Sequence, residues 1–181
     1  LDTVHNGLLL DNNYSLKFLM TLLNSKFLRF LYESQINEDG KVFAQVKIIY
    51  IDPLPIPKTF LENQQPLIEK ADLMLSLNKN LQEQSQKFQR TIQRKFELTE
   101  LSTKLENWYS ITYKEFIAEL AKKKVKLSLA DEAEWEDYFL TESKKVQAIK
   151  AEIEQTDKQI DAMVYQLYEL TDEEIKIVEG N

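Results

Sequence analysis

The sequence contains no cysteine, three glycines, four prolines and a single histidine in 181 residues. Without cysteine there is no disulfide framework and no thiolate metal site, and the composition is compatible with a reducing cytoplasm. Because His5 is the only histidine, a metal site built from several histidines is excluded. The shortage of glycine, combined with 29% charged residues, favours long helices over a loop-rich β fold.

Long apolar runs are also absent from the sequence. No segment approaches the ~20 apolar residues that are needed to cross a bilayer, and the residues around Leu1 lack the basic region that opens a signal peptide. We therefore expect a soluble, cytoplasmic protein with no membrane partner. The chain opens with leucine in apolar sequence, so we interpret it as a piece of a larger protein.

The net charge of −7 is distributed unevenly along the chain. Up to Phe60, six Lys and Arg residues balance six Asp and Glu residues, so the excess acid lies in the remainder. Net acidity argues against general nucleic-acid binding, but it leaves room for a local basic surface.

Residues 41–51 predict a β-strand, because β-branched and aromatic residues crowd together there without a helical period. Alternation along a strand places Lys41, Gln45 and Lys47 on one face. Lys58 follows the prolines that end the strand. This face is either ordinary solvated surface or a contact surface for a polar, anionic partner, and both interpretations stay open.

Shorter elements surround this predicted strand. Residues 1–10 predict another short strand. Apolar residues recur at helical intervals over residues 16–31, which predicts two short helices or one kinked helix. We expect these helices to cover the core face of the strand and to leave Lys26 and Arg29 outside.

Two long seams dominate the rest of the chain. In residues 67–99 and again in residues 135–170, the seam positions step by four and three residues, which is the spacing of a coiled coil. Each stripe alone would be exposed, so we expect two antiparallel helices that bury each other. Capping-box patterns at Thr112, Ser128 and Thr171 predict further helix starts.

The predicted fold is therefore mainly α, in an α+β arrangement. Residues 1–60 form a strand-containing α/β region, and residues 61–181 form a coiled-coil-like helical hairpin with short connecting helices. Pro66 suits the first turn of the first long helix, where the N–H that proline lacks is not needed.

Sequence signals for catalysis are absent. There is no glycine-rich phosphate loop, no nucleophile with a nearby histidine and no cluster of metal ligands, so we expect no catalytic site, cofactor or metal in this chain. The acidic run over residues 131–137 lies at a predicted helix start, where carboxylates complement the helix dipole. Lys87, Arg90 and Arg94 share one helix face, where they either contact phosphates or pair with acids on the facing helix.

Several short motifs resemble a known family. Asn24-Ser25-Lys26, the run Phe-Ala-Gln-Val-Lys-Ile over residues 43–48 and Leu-Pro-Ile-Pro over residues 54–57 look like the TaqI-like specificity domain, the C-terminal target-recognition domain of single-chain type II restriction-modification enzymes. Residues 62–70 resemble the segment that leads into the long helix of type I specificity subunits. Residues 160–175 are similar to the tail of the restriction-modification enzymes.

The resemblance implies a parent protein that methylates adenine in a specific DNA sequence with S-adenosylmethionine, often with a Mg²⁺-dependent nuclease in the same chain. The methyltransferase tetrapeptide, Asn-Pro-Pro followed by an aromatic residue, is absent here. The implied partners are double-stranded DNA and the methyltransferase region of the parent chain. A structural coiled-coil module that binds proteins and no nucleic acid is the alternative. The candidate DNA contacts are basic or amide side chains on predicted outer faces: Lys26, Arg29, Lys41, Gln45, Lys47, Lys58, Lys87, Arg90 and Arg94.

Overall fold

The computed structural model describes residues 11–35, 48–59 and 61–180. These residues form helices and turns and no strand, which confirms the mainly α prediction. Residues 1–10, where a short strand was expected, lie outside the described ranges. The helices are α1 Leu16–Asn24, α2 Lys26–Gln35, α3 Ile48–Ile51, α4 Leu61–Phe96, α5 Thr103–Glu106, a 3₁₀ turn Trp108–Ser110, α6 Tyr113–Lys122, α7 Leu129–Leu167 and α8 Asp172–Glu179.

The chain divides into two compact units. Unit 1 consists of Leu1–Met74 and Thr156–Asn181, and unit 2 consists of Leu75–Gln155. The boundaries fall inside α4 and α7, so each unit contains part of both long helices. The sequence-based division at residue 60 separates the predicted strand-containing region from the predicted helical hairpin, and it stays a prediction.

Unit 1 has a mostly aliphatic core. The apolar faces of α1 and α2 pack with the unit 1 segments of α4 and α7, as expected for amphipathic helices. Lys17 on α1 and Asp72 on α4 add an exposed ion pair with an Nζ–Oδ1 distance of 2.5 Å. The buried core side chains are Phe18, Leu22, Leu28, Leu54, Leu67, Ile160 and Val164.

Unit 2 has an aromatic core. The ring of Phe88 stacks on Trp108, with a centroid distance of 3.8 Å, and on Tyr138, with a centroid distance of 5.5 Å. Aromatic pairs at such distances contribute beyond the area that they bury. The buried members of this core are Phe88, Ile92, Leu105, Trp108, Phe116, Leu120, Trp135, Phe139 and Val146.

The two long helices pack antiparallel within each unit, as the seams predicted. In unit 2, Phe96 contacts Trp135 with ring centroids 4.8 Å apart, while Phe88, earlier in α4, contacts Tyr138, later in α7. In unit 1, the Lys70 Nζ donates a hydrogen bond of 2.7 Å to the Gln159 Oε1. The seam of α7 is buried or half-buried at each of its positions, whereas the seam of α4 is interrupted by exposed polar residues.

The predicted strand over residues 41–51 is wrong where the structure describes it. Residues 41–47 lie outside the described ranges, and Ile48–Ile51 forms the single helical turn α3. A further turn follows α3, in which the Leu54 N–H donates a hydrogen bond of 3.0 Å to the Ile51 carbonyl across Asp52 and Pro53. Preference for a strand depends on packing against neighbouring strands, and the described ranges contain no strand that could supply it.

Local signals at the helix starts are largely confirmed. Thr112 and Thr171 form reciprocal capping boxes with Glu115 and Glu174. The Ser128 hydroxyl and the Asp131 carboxylate bond each other's backbone N–H groups at the start of α7 in the same way. The position predicted for Pro66 is wrong, because α4 begins at Leu61 and the proline lies inside it.

Helix ends rely little on glycine. Gly180 adopts the left-handed conformation after α8, with φ of 74°, as expected for a helix stop. Glu97, Lys124 and Glu169 adopt the same region with φ of 52°, 65° and 53°. Each is followed by an aliphatic residue whose N–H bonds a carbonyl five residues earlier: Leu98 to Gln93, Val125 to Leu120 and Leu170 to Tyr165.

Candidate nucleic-acid interface

The predicted DNA-contacting face of residues 41–58 is only partly described by the structure. Lys41, Gln45 and Lys47 lie outside the described ranges. Lys58 is exposed in the loop that precedes α4. It lines an open cavity of about 640 Å³ together with Asp11, Asn13, Tyr14, Thr59, Leu61 and Glu62.

A buried amide, which the sequence reading missed, fixes the two chain segments beside Lys58. The Gln64 side chain is fully buried. Its Oε1 accepts a hydrogen bond of 2.9 Å from the Ser15 N–H, and its Nε2 donates to the carbonyls of Asn13 at 2.8 Å and Thr59 at 3.3 Å. Because all three partners are backbone groups, Gln64 positions the loop of Lys58 against the start of α1.

Lys26 is not a free cation. Its Nζ donates to both carboxylate oxygens of Glu179, at 2.9 and 3.1 Å, and its backbone N–H donates to the Asp161 Oδ1 at 2.9 Å. The hydrogen bond to Glu179 is the main reason that the pKa of Lys26 is raised. Burial raises the pKa of Asp161 in turn. A phosphate at Lys26 would therefore compete with two carboxylates of the same chain.

Arg29 is exposed but engaged on its own helix. Its Nε donates a hydrogen bond of 2.8 Å to the Glu33 Oε1 one turn later in α2. Exposed i, i+4 pairs of this kind contribute only about 0.3–0.5 kcal/mol. The pair can therefore open for another anion at little cost.

Lys87, Arg90 and Arg94 form the basic stripe, an exposed row on the unit 2 part of α4. In the part of the chain that the structure describes, none of the three makes an ion pair, so the predicted alternative of pairing across the hairpin is not realised there. At a rise of 1.5 Å per residue, the stripe extends over about 10 Å. Three unpaired cations in a row form a surface that suits a polyanion.

A groove on the other side of α4 has different chemistry. It has a volume of about 540 Å³ and is lined mainly by amide side chains, among them Asn78, Gln82, Gln86, Gln89 and Asn107. Its described lining contains no Lys or Arg, so the groove does not suit phosphate. The basic stripe and the groove therefore give α4 two faces of unlike character in unit 2.

The acids at the helix starts serve the caps. The pKa values of Glu115 and Glu174 are lowered because Thr112 and Thr171 donate backbone and side-chain hydrogen bonds to their carboxylates. Ser128 lowers the pKa of Asp131 in the same way. Within the described ranges, no group of three or more His, Cys, Asp or Glu side chains could bind a metal ion. No helix there is long and apolar enough to cross a membrane.

Comparison with known proteins gives two matches to family models. Residues 1–56 match the TaqI-like C-terminal specificity domain, which confirms the resemblance for the motifs in that part of the chain. The resemblances of residues 62–70 and 160–175 stay predictions. Residues 61–164 match a domain of unknown function, DUF8810, over more than half of the chain. No curated protein and no solved structure matches. The chain therefore belongs to the DUF8810 family, and the residues that precede this domain match the TaqI-like C-terminal specificity domain.

Proposed function

We propose that this chain is a DNA-sequence recognition module of a restriction-modification enzyme. The observation that carries the proposal is the match of residues 1–56 to a specificity-domain family. We propose further that the parent protein is a methyltransferase that modifies adenine in its target sequence. S-adenosylmethionine would bind elsewhere in that parent, as would Mg²⁺ where a nuclease accompanies the methyltransferase.

The proposed DNA contacts divide into positioning and reading contacts. Lysine and arginine contacts to phosphate position a protein on the duplex without reading its sequence. Glutamine can pair with the donor and acceptor of adenine in the major groove, so Gln45 is the candidate reader. Lys41, Lys47 and Lys58 are its candidate phosphate contacts.

The basic stripe is the best supported of the described candidates. Its three side chains are exposed and unpaired in the described structure, whereas Lys26 contacts Glu179 and Asp161, and Arg29 contacts Glu33. Double-stranded DNA carries one phosphate per ~1.7 Å of axis. A stripe of about 10 Å can therefore meet several phosphates.

The second proposed partner is the methyltransferase region of the same parent chain. On α1, Leu16, Met20 and Leu23 lie at i, i+4 and i+7 and are 53%, 46% and 40% exposed. An apolar stripe of this kind is typical of a protein contact. This stripe therefore supports α1 as a surface that contacts a larger protein, and not as a surface that contacts DNA.

The stripe is tested by removing its charges in the full-length parent. Binding of a duplex is measured by fluorescence anisotropy at several salt concentrations, for the parent protein and for the triple variant Lys87→Gln, Arg90→Gln, Arg94→Gln. The slope of log K against log salt is negative, and each lost phosphate contact should make it shallower by about one. Binding of all DNA sequences should weaken alike.

The matched control removes three positive charges from other exposed positions of unit 2, in the variant Lys114→Gln, Lys123→Gln, Lys126→Gln. It should leave the slope near that of the parent protein. A stripe variant whose slope equals that of the parent protein would exclude the stripe from the DNA surface.

The reading contact is tested in the same parent with Gln45→Ala and Lys47→Ala on cognate and altered duplexes. Loss of a base contact should cost about 1–3 kcal/mol on the cognate site only, whereas loss of a phosphate contact should weaken every sequence. If neither variant changes binding or methylation, this face is ordinary solvated surface. Binding to a protein that persists at high salt, without any DNA binding, would favour the coiled-coil interaction module instead.

A further inference from the structure

Helix α8 packs on the rest of unit 1 without burying any of its own residues. Ile175 and Val178 are half-buried, and Ile177 is 61% exposed. The hydrophobic contribution is proportional to the apolar area removed from water, so α8 gains little from this source. Its docking must depend on polar contacts to an unusual degree.

One carboxylate makes most of these polar contacts. Glu179, at the end of α8, accepts hydrogen bonds from the Lys26 Nζ on α2 and, at 2.7 Å, from the Tyr165 hydroxyl on α7. We call this arrangement the Glu179 contact. Hydrogen bonds to a charged group are about twice as strong as those between neutral groups. The hydrogen bonds from Tyr165 and Lys26 lower the pKa of Glu179, which favours its charged form.

The surface that receives Glu179 has a contact that does not involve α8. The Asp161 carboxylate on α7 accepts the backbone N–H of Lys26 and thereby fixes the start of α2. Tyr165 is 7% exposed and follows Val164, a core side chain of unit 1, on α7. Both donors therefore lie on helices with contacts of their own, and we expect them to keep their positions when α8 moves away.

We propose that α8 is a strap that closes on α2 and α7 through the Glu179 contact and opens as one element while those helices stay folded. An eight-residue helix is too short to persist alone in water, so α8 loses its helix when it opens. Opening also frees the Lys26 ammonium group from Glu179. The proposal concerns unit 1 alone and does not depend on DNA binding.

Native-state amide hydrogen exchange of the intact chain tests the strap, with the amides of α7 in unit 1 as an internal reference. The amides of α8 should exchange faster than those of α7, because they exchange through local opening. Glu179→Gln and Tyr165→Phe should each speed the exchange of α8 by roughly three- to tenfold and leave α7 unchanged. Lys26→Met should add little when Glu179 is already replaced, since the two side chains act through one contact.

Glu173→Gln is the matched control, because it removes the same charge from an exposed position on the same helix. It should change the exchange of α8 less than Glu179→Gln does, because Glu173 lies in the first turn and stabilises α8 only through the helix dipole. Exchange of α8 in step with α7 in every variant would overturn the proposal, since the two helices would then open together. An equal effect of Glu179→Gln and Glu173→Gln would overturn it as well, because the Glu179 contact would then not control docking.

Discussion

Unit 2 and unit 1 are stabilised by contacts of different kinds. In unit 2, aromatic rings pack around Phe88 and Trp108. In unit 1, the buried core is mostly aliphatic, and the buried side chains of Gln64 and Asp161 bond backbone groups that are distant in sequence. A hydrogen bond weakens steeply when its angle departs from linear, so a bond to one backbone N–H fixes the position of that group. Unit 1 therefore fixes chain segments through buried hydrogen bonds, whereas unit 2 is stabilised chiefly by aromatic packing.

The largest expected effect concerns the aromatic centre of unit 2. Trp108→Ala removes a fully buried ring that stacks on Phe88 and meets the edge of Phe139. The unfolding free energy, measured with urea, should fall by about 3–5 kcal/mol. Trp108→Phe is the control. It keeps an aromatic ring and removes an indole N–H that has no hydrogen-bond partner in the described structure, so it should cost much less.

A loss below about 1 kcal/mol for Trp108→Ala would contradict the large cost expected of a cavity in a core. Unit 2 would then depend on its aliphatic members instead, and the contrast with unit 1 would disappear.

The next effect concerns the buried amide of unit 1. Gln64→Leu keeps the approximate size of the side chain but leaves the Ser15 N–H and the carbonyls of Asn13 and Thr59 without their partner. Stranded polar groups cost about 1–3 kcal/mol, and urea unfolding measures the loss. The amide of Ser15 should also exchange faster, which a simple loss of apolar packing would not produce.

Gln65→Leu is the control for this change, because its side chain is exposed and bonds only Glu69 in the described structure. Gln64→Glu sharpens the test further. It keeps an acceptor for Ser15 but replaces the donor to the two carbonyls, so it should protect the Ser15 amide without restoring full stability.

The smallest effect should be equal in the two units. Thr112→Ala in unit 2 and Thr171→Ala in unit 1 each break a capping box and should each cost about 1 kcal/mol. The pKa values of Glu115 and Glu174 are lowered in the folded state. These carboxylates therefore stabilise the fold above their unfolded pKa, and the contribution is lost as pH falls through the folded pKa.

Urea unfolding at neutral pH and at acidic pH measures both parts of this prediction. The cost of either Thr→Ala change should shrink at acidic pH, whereas Ser110→Ala, at an exposed position without a cap bond, should cost little at any pH. Different costs for Thr112 and Thr171 would mean that the cap depends on the unit in which it lies.

The features that sequence predicted well are local. The capping boxes at Thr112 and Thr171 need partners only three residues away, and the seam of α7 repeats within a few residues. Gln64 bonds Ser15, 49 residues away, and Asp161 bonds Lys26, 135 residues away. No sequence pattern around Gln64 or Asp161 indicates these partners. The resemblance of residues 62–70 to a known segment drew attention to the start of α4, but it did not indicate the buried role of Gln64.

The candidate DNA contacts also include some that local sequence predicted and others whose contacts depend on distant residues. The spacing of Lys87, Arg90 and Arg94 on one helix predicted a shared exposed face, because helical geometry is enough to place them. Lys26 was predicted to lie outside, and it is exposed. Its partner Glu179 was not predicted, because it comes from α8, which no local pattern connects to α2. Lys41, Gln45 and Lys47 stay predictions.

The left-handed residues after α4, α6 and α7 have a consequence for recognising helix ends in other glycine-poor sequences. Glu97, Lys124 and Glu169 are charged and would ordinarily be assigned to the helix itself. What marks the end is the aliphatic residue that comes next, since Leu98, Val125 and Leu170 turn back toward the helix and bond it. Leu98 and Val125 also pack against the aromatic core of unit 2. A charged residue followed by a returning aliphatic residue, at the point where the helical period breaks, is thus a stop signal that needs no glycine.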